Sequence, residues 1–326
     1  MTTDSTGYFL FSLDTELAWG HFDCFRPGLF SGDGSRERRA IRQVLALCDE
    51  FGISATWALV GQLFNDRYPQ VDSYPEAWRG LYPEFETLYR AGHPLLHGGD
   101  VIQMLVESAD QHEIAFHGFT HAVFDEQEMD VTRARSEIAA WMQAACDRVL
   151  SPTTVIFPRN RVGHLPVFRE AGFTCYRGVE PALRAHKLPL IGKAFRRYPE
   201  LSSAFVPPLC DLPQPDDSGL VNLPGSRWLF GFSRRADRLL DAAGQGHWRM
   251  QSIVAGIQQA AAQAKIVHVW CHPYEFQTDA DFDRLRQVLA AVAHEIRRGA
   301  MQSVTMATLA QIAHQRSAAR VATGEK

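Results

Sequence analysis

Two histidines four residues apart, His117 and His121, follow a short apolar run at residues 114–116. On a helical turn, positions i and i+4 lie on one face, the geometry with which paired imidazoles chelate a metal ion. A chain with 13 histidines in 326 residues contains some such pairs by chance. The pair therefore indicates a metal site only if the chain also supplies a third ligand, a base and an acid.

Two carboxylates, Asp14 and Glu16, directly follow the apolar run at residues 8–13. Because side chains two apart on a strand point the same way, both carboxylates can reach one cavity. One of them, with His117 and His121, makes a three-ligand site with an open position, as in catalytic metal centres. The ligand set favours one divalent ion, Zn²⁺, and also admits Fe, Co, Ni or Mn. The residues alone leave open which carboxylate binds the metal.

The second carboxylate has the task of a general base that takes a proton from a water activated by the metal. Arg159 follows a strand-like run and is the candidate that holds this base ionised by a bidentate contact, with Arg161 as its substitute. His272 follows a late apolar run and precedes Pro273, and it can protonate a departing amine. His268, two residues earlier, fits a buried core histidine.

Apolar runs of strand length alternate with helical patterns along the chain, and polar clusters follow five of the runs. Functional residues at the carboxyl ends of successive strands are typical of a (β/α) barrel. The alternative, a doubly wound open sheet, would carry a Gly-rich phosphate turn after the first strand, where this chain has its two carboxylates. The predicted strands lie at residues 8–13, 53–60, 113–116, 153–157, 173–176, 220–223, 266–271 and 302–304.

The length of 326 residues permits one large domain. We expect a single (β/α) barrel domain over residues 1–316, with a helical insertion at about 61–111 and a flexible C-terminal tail at 317–326. The formal net charge of -4 gives no positive field that would favour nucleic-acid binding. The sequence does not indicate the oligomeric state.

No apolar run approaches the roughly 18 residues of a membrane span, and the N-terminus lacks the pattern of a secretory signal. We therefore expect a cytoplasmic protein without an integral membrane segment. The six cysteines are widely spread without a CxxC pair, which predicts reduced thiols rather than disulfides or zinc ligands. Cys48, Cys146 and Cys271 lie in apolar patterns and are predicted core residues.

Five motifs, taken in chain order, resemble those of the polysaccharide deacetylases of carbohydrate esterase family four. The first resembles the family's TFDDG motif, and the second resembles its HSxxH or HTxxH motif. The others resemble its arginine motif, its late strand that ends in histidine, and its closing strand-to-helix segment. The resemblance spans roughly residues 8–314 and rests on FSLDTE at 11–16, HGFTH at 117–121, FPRNR at 157–161, VWCHP at 269–273 and SVTMATL at 303–309.

The resemblance implies a distorted (β/α)7 barrel and a metal-dependent hydrolase that removes N-acetyl groups from amino sugars. It implies that Asp14 is the catalytic base, that Arg159 steadies it and that His272 is the acid. Thr15 stands where the family has its second aspartate, and the acid comes one residue later. We therefore assign Glu16 to the metal, with the exchanged assignment of the two carboxylates left open.

The resemblance also implies that His117 and His121 complete the metal site, and that the partner is a carbohydrate with an N-acyl group. For a cytoplasmic enzyme we expect an amino sugar in a soluble, nucleotide-linked or lipid-linked precursor of a surface polysaccharide. The stretch 227–235 is aromatic and basic and could flank such a substrate, although Trp228 and Phe230 also suit core packing. One alternative is hydrolysis of another amide or C–N bond, such as a formyl group; another is a non-catalytic carbohydrate-binding relative.

Overall fold

The computed structural model of the chain describes residues 6–21, 28–65, 87–88, 91–179, 207–230 and 248–323. In this part of the chain, nine strands pair in parallel to form one sheet. The strands are β1 (Gly7–Thr15), β2 (Thr56–Leu59), β3 (Glu113–Phe116), β4 (Thr154–Ile156), β5 (Cys175–Arg177), β6 (Val221–Asn222), β7 (Arg227–Trp228), β8 (Ile266–Cys271) and β9 (Met301–Ser303).

The order of the strands shows that the sheet is curled. It runs β6-β5-β4-β3-β2-β1-β8-β7, and β9 pairs with the start of β1. The end strands β6 and β7 are connected only by residues 223–226. Four extended residues span at most about 14 Å, so the two ends of the sheet must approach each other. The structure thus confirms a distorted barrel rather than an open, doubly wound sheet.

Seven α-helices of the described residues pack outside the sheet or close one end of the barrel. The helix α6 begins with a capping box, in which Asp281 accepts from the backbone N–H of Thr278 and from its hydroxyl group. The helices are α1 (Ser35–Phe51), α2 (Gly99–Glu107), α3 (Val131–Cys146), α4 (Leu165–Glu170), α5 (Trp248–Gln263), α6 (Asp279–Arg297) and α7 (Met306–Thr323).

Alternation along β1 divides its side chains between two apolar clusters. Phe9, Phe11 and Leu13 belong to the large cluster between the sheet and the outer helices. Tyr8 and Leu10 belong to a smaller cluster with residues of α7, inside the barrel. A strand that is buried on both faces is expected to be apolar throughout, as the first half of β1 is.

The second half of β1 carries polar residues on the inward face, and other strands add theirs at the same end. Arg177 on β5 contacts Ser12 and Asp14 on β1, although three strands separate β5 from β1 in the sheet. These contacts therefore cross the barrel interior. Parallel strands all present their carboxyl ends at one side, which is where (β/α) barrels gather functional side chains.

Two features differ from the sequence-based expectations, and a third expected feature is described only in part. The short strand β7 was not expected. We expected the last helix to end near Ala313 and a tail to begin at 317, but α7 continues to Thr323, because the stretch 317–323 is rich in helix formers such as Ala and Arg. Of the expected insertion at 61–111, the structure describes α2 and a 3₁₀ helix at Gly61–Phe64, while residues 66–86 lie outside the described residues.

The five cysteines in the described part of the chain are free thiols, as expected. Cys48, Cys175 and Cys271 are buried, whereas Cys146 is exposed. The prediction of a core position was therefore wrong for Cys146, which is the last residue of α3. None of the helices described here is both long and apolar enough to cross a bilayer.

Candidate active site

A carboxylate and two imidazoles meet at the carboxyl ends of β1 and β3. Oε2 of Glu16 lies 2.8 Å from Nε2 of His121 and 3.4 Å from Nε2 of His117. The three side chains are buried, and one ligand atom from each lies within 4.8 Å of the others. Glu16 rather than Asp14 therefore faces the imidazoles.

The hydrogen bonds of His117 fit a metal site. Its Nδ1 lies 2.8 Å from the carbonyl oxygen of Ile156, which can only accept, so Nδ1 carries the proton. In a neutral ring, Nε2 then presents a lone pair toward the carboxylate of Glu16. Ligands bound to one ion at about 2.0–2.2 Å lie roughly 3–3.5 Å apart, close to the separations observed here. The Glu16, His117 and His121 triad could bind a metal ion.

The segment that carries the two histidines is a folded loop and not the helical turn considered above. Gly118 and His121 both have positive φ, 74° and 60°. The backbone N–H groups of Phe119 and Thr120 donate to one oxygen of Glu137, a buried residue of α3. Such side-chain hydrogen bonds replace those of a helix, so the imidazoles converge through the loop's bend rather than through an i,i+4 face. Sequence reasoning missed Glu137.

Asp14 is paired with Arg177, the last residue of β5. Nη1 and Nη2 of Arg177 each donate to one carboxylate oxygen of Asp14 at 2.7 Å. Nη1 also donates to the hydroxyl oxygen of Ser12 at 3.1 Å, and Nη2 donates to Oδ1 of Asn160 at 2.9 Å. Burial opposes ionisation, but Arg177 and, more weakly, His117 lower the pKa of Asp14 below its ordinary value.

The prediction that Arg159 makes this contact was therefore wrong in the identity of the arginine. Arg159 is exposed and lies in a 3₁₀ turn with a left-handed backbone, φ 54°. Arg177 takes the contact because it follows Cys175 by two positions on β5, and Cys175 faces the barrel interior. That alternation is the sequence signal that could have found it.

His272 lies near both carboxylates, on the side of the Glu16 oxygen that does not face the imidazole pair. Its Nε2 is 3.8 Å from Oδ2 of Asp14 and 4.0 Å from Oε1 of Glu16. Oε2 of Glu275 accepts from the backbone N–H of His272 and from Nε1 of Trp228, and it lies 3.1 Å from Nδ1 of the ring. Burial disfavours the charged ring, but Glu275, Glu16 and Asp14 raise the pKa of His272 to about 9. Sequence reasoning missed Glu275, three residues after the histidine it orients.

No protein-family model and no curated protein matches the chain. Among solved structures, a candidate polysaccharide deacetylase from Mycobacterium smegmatis is 14% identical and covers 97% of this chain and 93% of its own, with a TM-score of 0.58. Another candidate polysaccharide deacetylase, from Pseudomonas aeruginosa PAO1, is also 14% identical and covers 93% and 89%, with a TM-score of 0.50. The chain has the polysaccharide deacetylase fold.

The polysaccharide deacetylase fold, a distorted (β/α)7 barrel, confirms the architecture implied by the five motifs. A GH57-type branching enzyme from Pyrococcus horikoshii also aligns, at 11% identity over 93% of this chain and 69% of its own, with a TM-score of 0.50. At these identities the likeness is one of fold. The chemistry must therefore be argued from the side chains of the site.

Within the deacetylase fold, the departure at Thr15 has a local explanation. Thr15 is the last residue of β1, and its hydroxyl group donates to the carbonyl oxygen of Leu13 at 3.4 Å. By strand alternation, Thr15 points away from the face that carries Asp14. The acid one residue later, Glu16, reaches the imidazoles instead.

His268 is a buried core histidine, as expected. Its Nδ1 lies 3.2 Å from the carbonyl oxygen of Leu223, and its Nε2 lies 2.8 Å from the hydroxyl oxygen of Ser12. The carbonyl accepts from Nδ1–H, so Nε2 accepts from the Ser12 hydroxyl group, whose oxygen in turn accepts from Arg177. Burial and, next, the charge of Arg177 lower the pKa of His268 to about 3.

Proposed function

We propose that this protein is a metal-dependent hydrolase that removes an N-acetyl group from an amino sugar, as found in precursors of surface polysaccharides. The observation that supports this most is the arrangement of the Glu16, His117 and His121 triad beside a paired Asp14 and His272, whose side chain is 15% exposed. A three-ligand site next to a base and an acid has the composition of a hydrolytic metal centre.

The triad would hold one divalent ion. Zn²⁺ is favoured by two imidazoles and a carboxylate, and Fe, Co, Ni and Mn suit the same ligands. When bound, such an ion would polarise a carbonyl group and lower the pKa of a water to about 7.

Asp14 acts as the base in this proposal. Its pair with Arg177 keeps the carboxylate ionised and fixes its plane, so that one oxygen can take a proton from the attacking water. The water oxygen adds to the acyl carbon, and the carbonyl oxygen becomes an oxyanion.

His272 acts as the acid. Glu275 fixes its ring, and Nε2 faces the two carboxylates across the site. It gives its proton to the sugar nitrogen as the C–N bond breaks, which yields acetate and a free amine. The fold that the chain shares with the two candidate deacetylases from Mycobacterium smegmatis and Pseudomonas aeruginosa is consistent with this reaction.

The test is to measure bound metal and acetate release with the purified protein. Chito-oligosaccharides and UDP-N-acetylglucosamine serve as substrates, and their N-formyl counterparts report a different acyl preference. His117→Ala should lose both metal and turnover. The control His294→Ala changes an exposed histidine of α6 and should keep both.

Two results would contradict the proposal. Full metal content and turnover in His117→Ala would remove the triad from the mechanism. A wild-type protein that binds no metal and gains no hydrolysis with added Zn²⁺ would instead indicate a non-catalytic carbohydrate-binding protein.

A further inference from the structure

His21 returns to the site from the segment that follows β1. After Glu16 the chain turns at Leu17, whose φ is 47°, and enters a 3₁₀ helix at Trp19–His21. The backbone N–H of His21 donates to the carbonyl oxygen of Ala18 at 2.9 Å. This turn places the imidazole of His21 beside the carboxylate of Glu16, five residues earlier in the chain.

The position of the His21 ring is fixed on several sides. Nε1 of Trp19 donates to the carbonyl oxygen of Leu96 at 3.1 Å, which ties the 3₁₀ helix to the loop before α2. The His21 ring packs edge-on against Phe30 and Tyr274, with centroid distances of 5.2 and 5.0 Å. Packing alone would be served equally well by a phenyl ring.

Packing does not explain why the ring at position 21 carries a polar atom, Nδ1. Nδ1 is buried and has no hydrogen-bond partner among the described residues. It lies 3.8 Å from Oε1 of Glu16, which is too long for a hydrogen bond. A buried polar atom without a hydrogen-bond partner costs free energy. We therefore expect that Nδ1 of His21 gains its partner when the substrate binds.

The two oxygens of Glu16 face different groups. Oε2 faces His117 and His121, whereas Oε1 lies near Nδ1 of His21 and Nε2 of His272. His21 is outside the group of three ligand atoms that lie within 4.8 Å of one another. Its Nδ1 therefore borders the place where the reaction occurs and is not one of the ligands.

We propose that His21 is a further catalytic residue, whose Nδ1–H donates a hydrogen bond to the oxygen of the acyl group as it becomes an oxyanion. This inference rests on the proposed amide hydrolysis. The hydrogen bond is stronger to the oxyanion than to the carbonyl oxygen, so it lowers the barrier rather than merely tightening substrate binding.

Three substitutions test the position of the donor. His21→Phe keeps the ring packing and removes Nδ1, and kcat should fall by about 10²–10³ with little change in KM. His21→Asn places an amide N–H near the position of Nδ1 and should recover part of kcat. His21→Gln places its amide near Nε2 and should not. Metal affinity, measured with a chelator on all three variants, should stay within about threefold of wild type.

Two outcomes would overturn the inference while the proposed function stands. The first is a kcat within threefold of wild type in His21→Phe. The second is a loss of metal affinity in parallel with kcat, which would make His21 a ligand. A wild-type protein with no amidase activity would contradict the proposed function instead. His294→Asn serves as the control for a histidine-to-asparagine change away from the site.

Discussion

Arg177 and Asp14 form a bidentate pair across the interior of the barrel, with both N–O distances at 2.7 Å. Their side chains are 1% and 6% exposed, so water contributes little to the charge balance. The guanidinium group also lies 4.6 Å from the ring centroid of Trp270. A pair that is buried, planar and held from several sides fixes the carboxylate in one orientation.

Arg177→Lys should lower kcat by about tenfold or more and leave metal affinity unchanged. Lysine keeps the charge but cannot donate two parallel hydrogen bonds, so Asp14 loses its fixed plane as a base. The comparison variant is Arg159→Lys, which keeps the positive charge of an exposed arginine close enough to lower the pKa of His21 and His121 and should keep kcat within about threefold. Steady-state kinetics gives kcat for both variants. An equal loss in the two variants would return the role to Arg159.

The choice between these arginines shows what the sequence could determine. Strand ends and their polar residues follow from apolar runs, and they placed Asp14, Glu16, His117 and His272 at one end of the barrel. The arginine could not be chosen in this way, because Arg159 comes shortly after β4 and Arg177 is the last residue of β5, so both lie at strand ends. Arg177 differs from Arg159 in that it lies on the inward face of β5. A strand of three residues gives too short an alternation pattern to predict that face from the sequence.

The positions of His21 and His121 depend on backbone turns that the sequence pattern does not predict. His21 reaches Glu16 because Leu17 adopts a left-handed conformation, which is unusual for a branched residue. His121 reaches it through a bend whose backbone N–H groups donate to Glu137 on the next helix, α3. Neither the turn at Leu17 nor the contact with Glu137 follows from the apolar pattern along the chain.

Gly20→Ala should weaken metal binding by about tenfold or more. A Cβ at Gly20 would overlap the carboxylate of Glu16, so the carboxylate must leave the position in which it faces the imidazoles. Losing a well-placed support of a ligand typically costs 10–100-fold in affinity. Chelator competition measures the affinity. In the control Gly32→Ala the new Cβ meets nothing within 4 Å, and that variant should bind metal as wild type does.

Glu275→Gln should shift the alkaline limb of the pH profile of kcat/KM to lower pH. Although burial disfavours its charged form, Glu275 and the other carboxylates raise the pKa of His272 to about 9. Removing the nearest negative charge lowers that pKa, and an acid must be protonated to act, so activity is lost at a lower pH. Glu295→Gln removes another buried carboxylate, distant on α6, and should leave the limb in place. An unchanged limb in Glu275→Gln would mean that His272 is not the acid.

His268 should make the folded state less stable in acid. Burial and the charge of Arg177 lower its pKa to about 3, whereas the unfolded chain titrates near 6.5. Below pH 6.5 the unfolded state therefore binds a proton at His268 that the folded state does not bind. The contribution of His268 to the free energy of unfolding is complete above pH 6.5 and is lost as the pH falls toward 3.

The variant His268→Gln separates this effect from other acid-sensitive groups, because glutamine does not titrate yet can accept from the hydroxyl group of Ser12 near the position of Nε2. Between pH 6.5 and 4.5, the wild-type free energy of unfolding should fall by about 2 kcal/mol more than that of the variant. Urea denaturation of the metal-free proteins at several pH values measures the difference. Parallel plots of unfolding free energy against pH for the two proteins would contradict this prediction. They would show that His268 binds a proton as readily inside the barrel as in the unfolded chain, despite the network with Ser12 and Arg177.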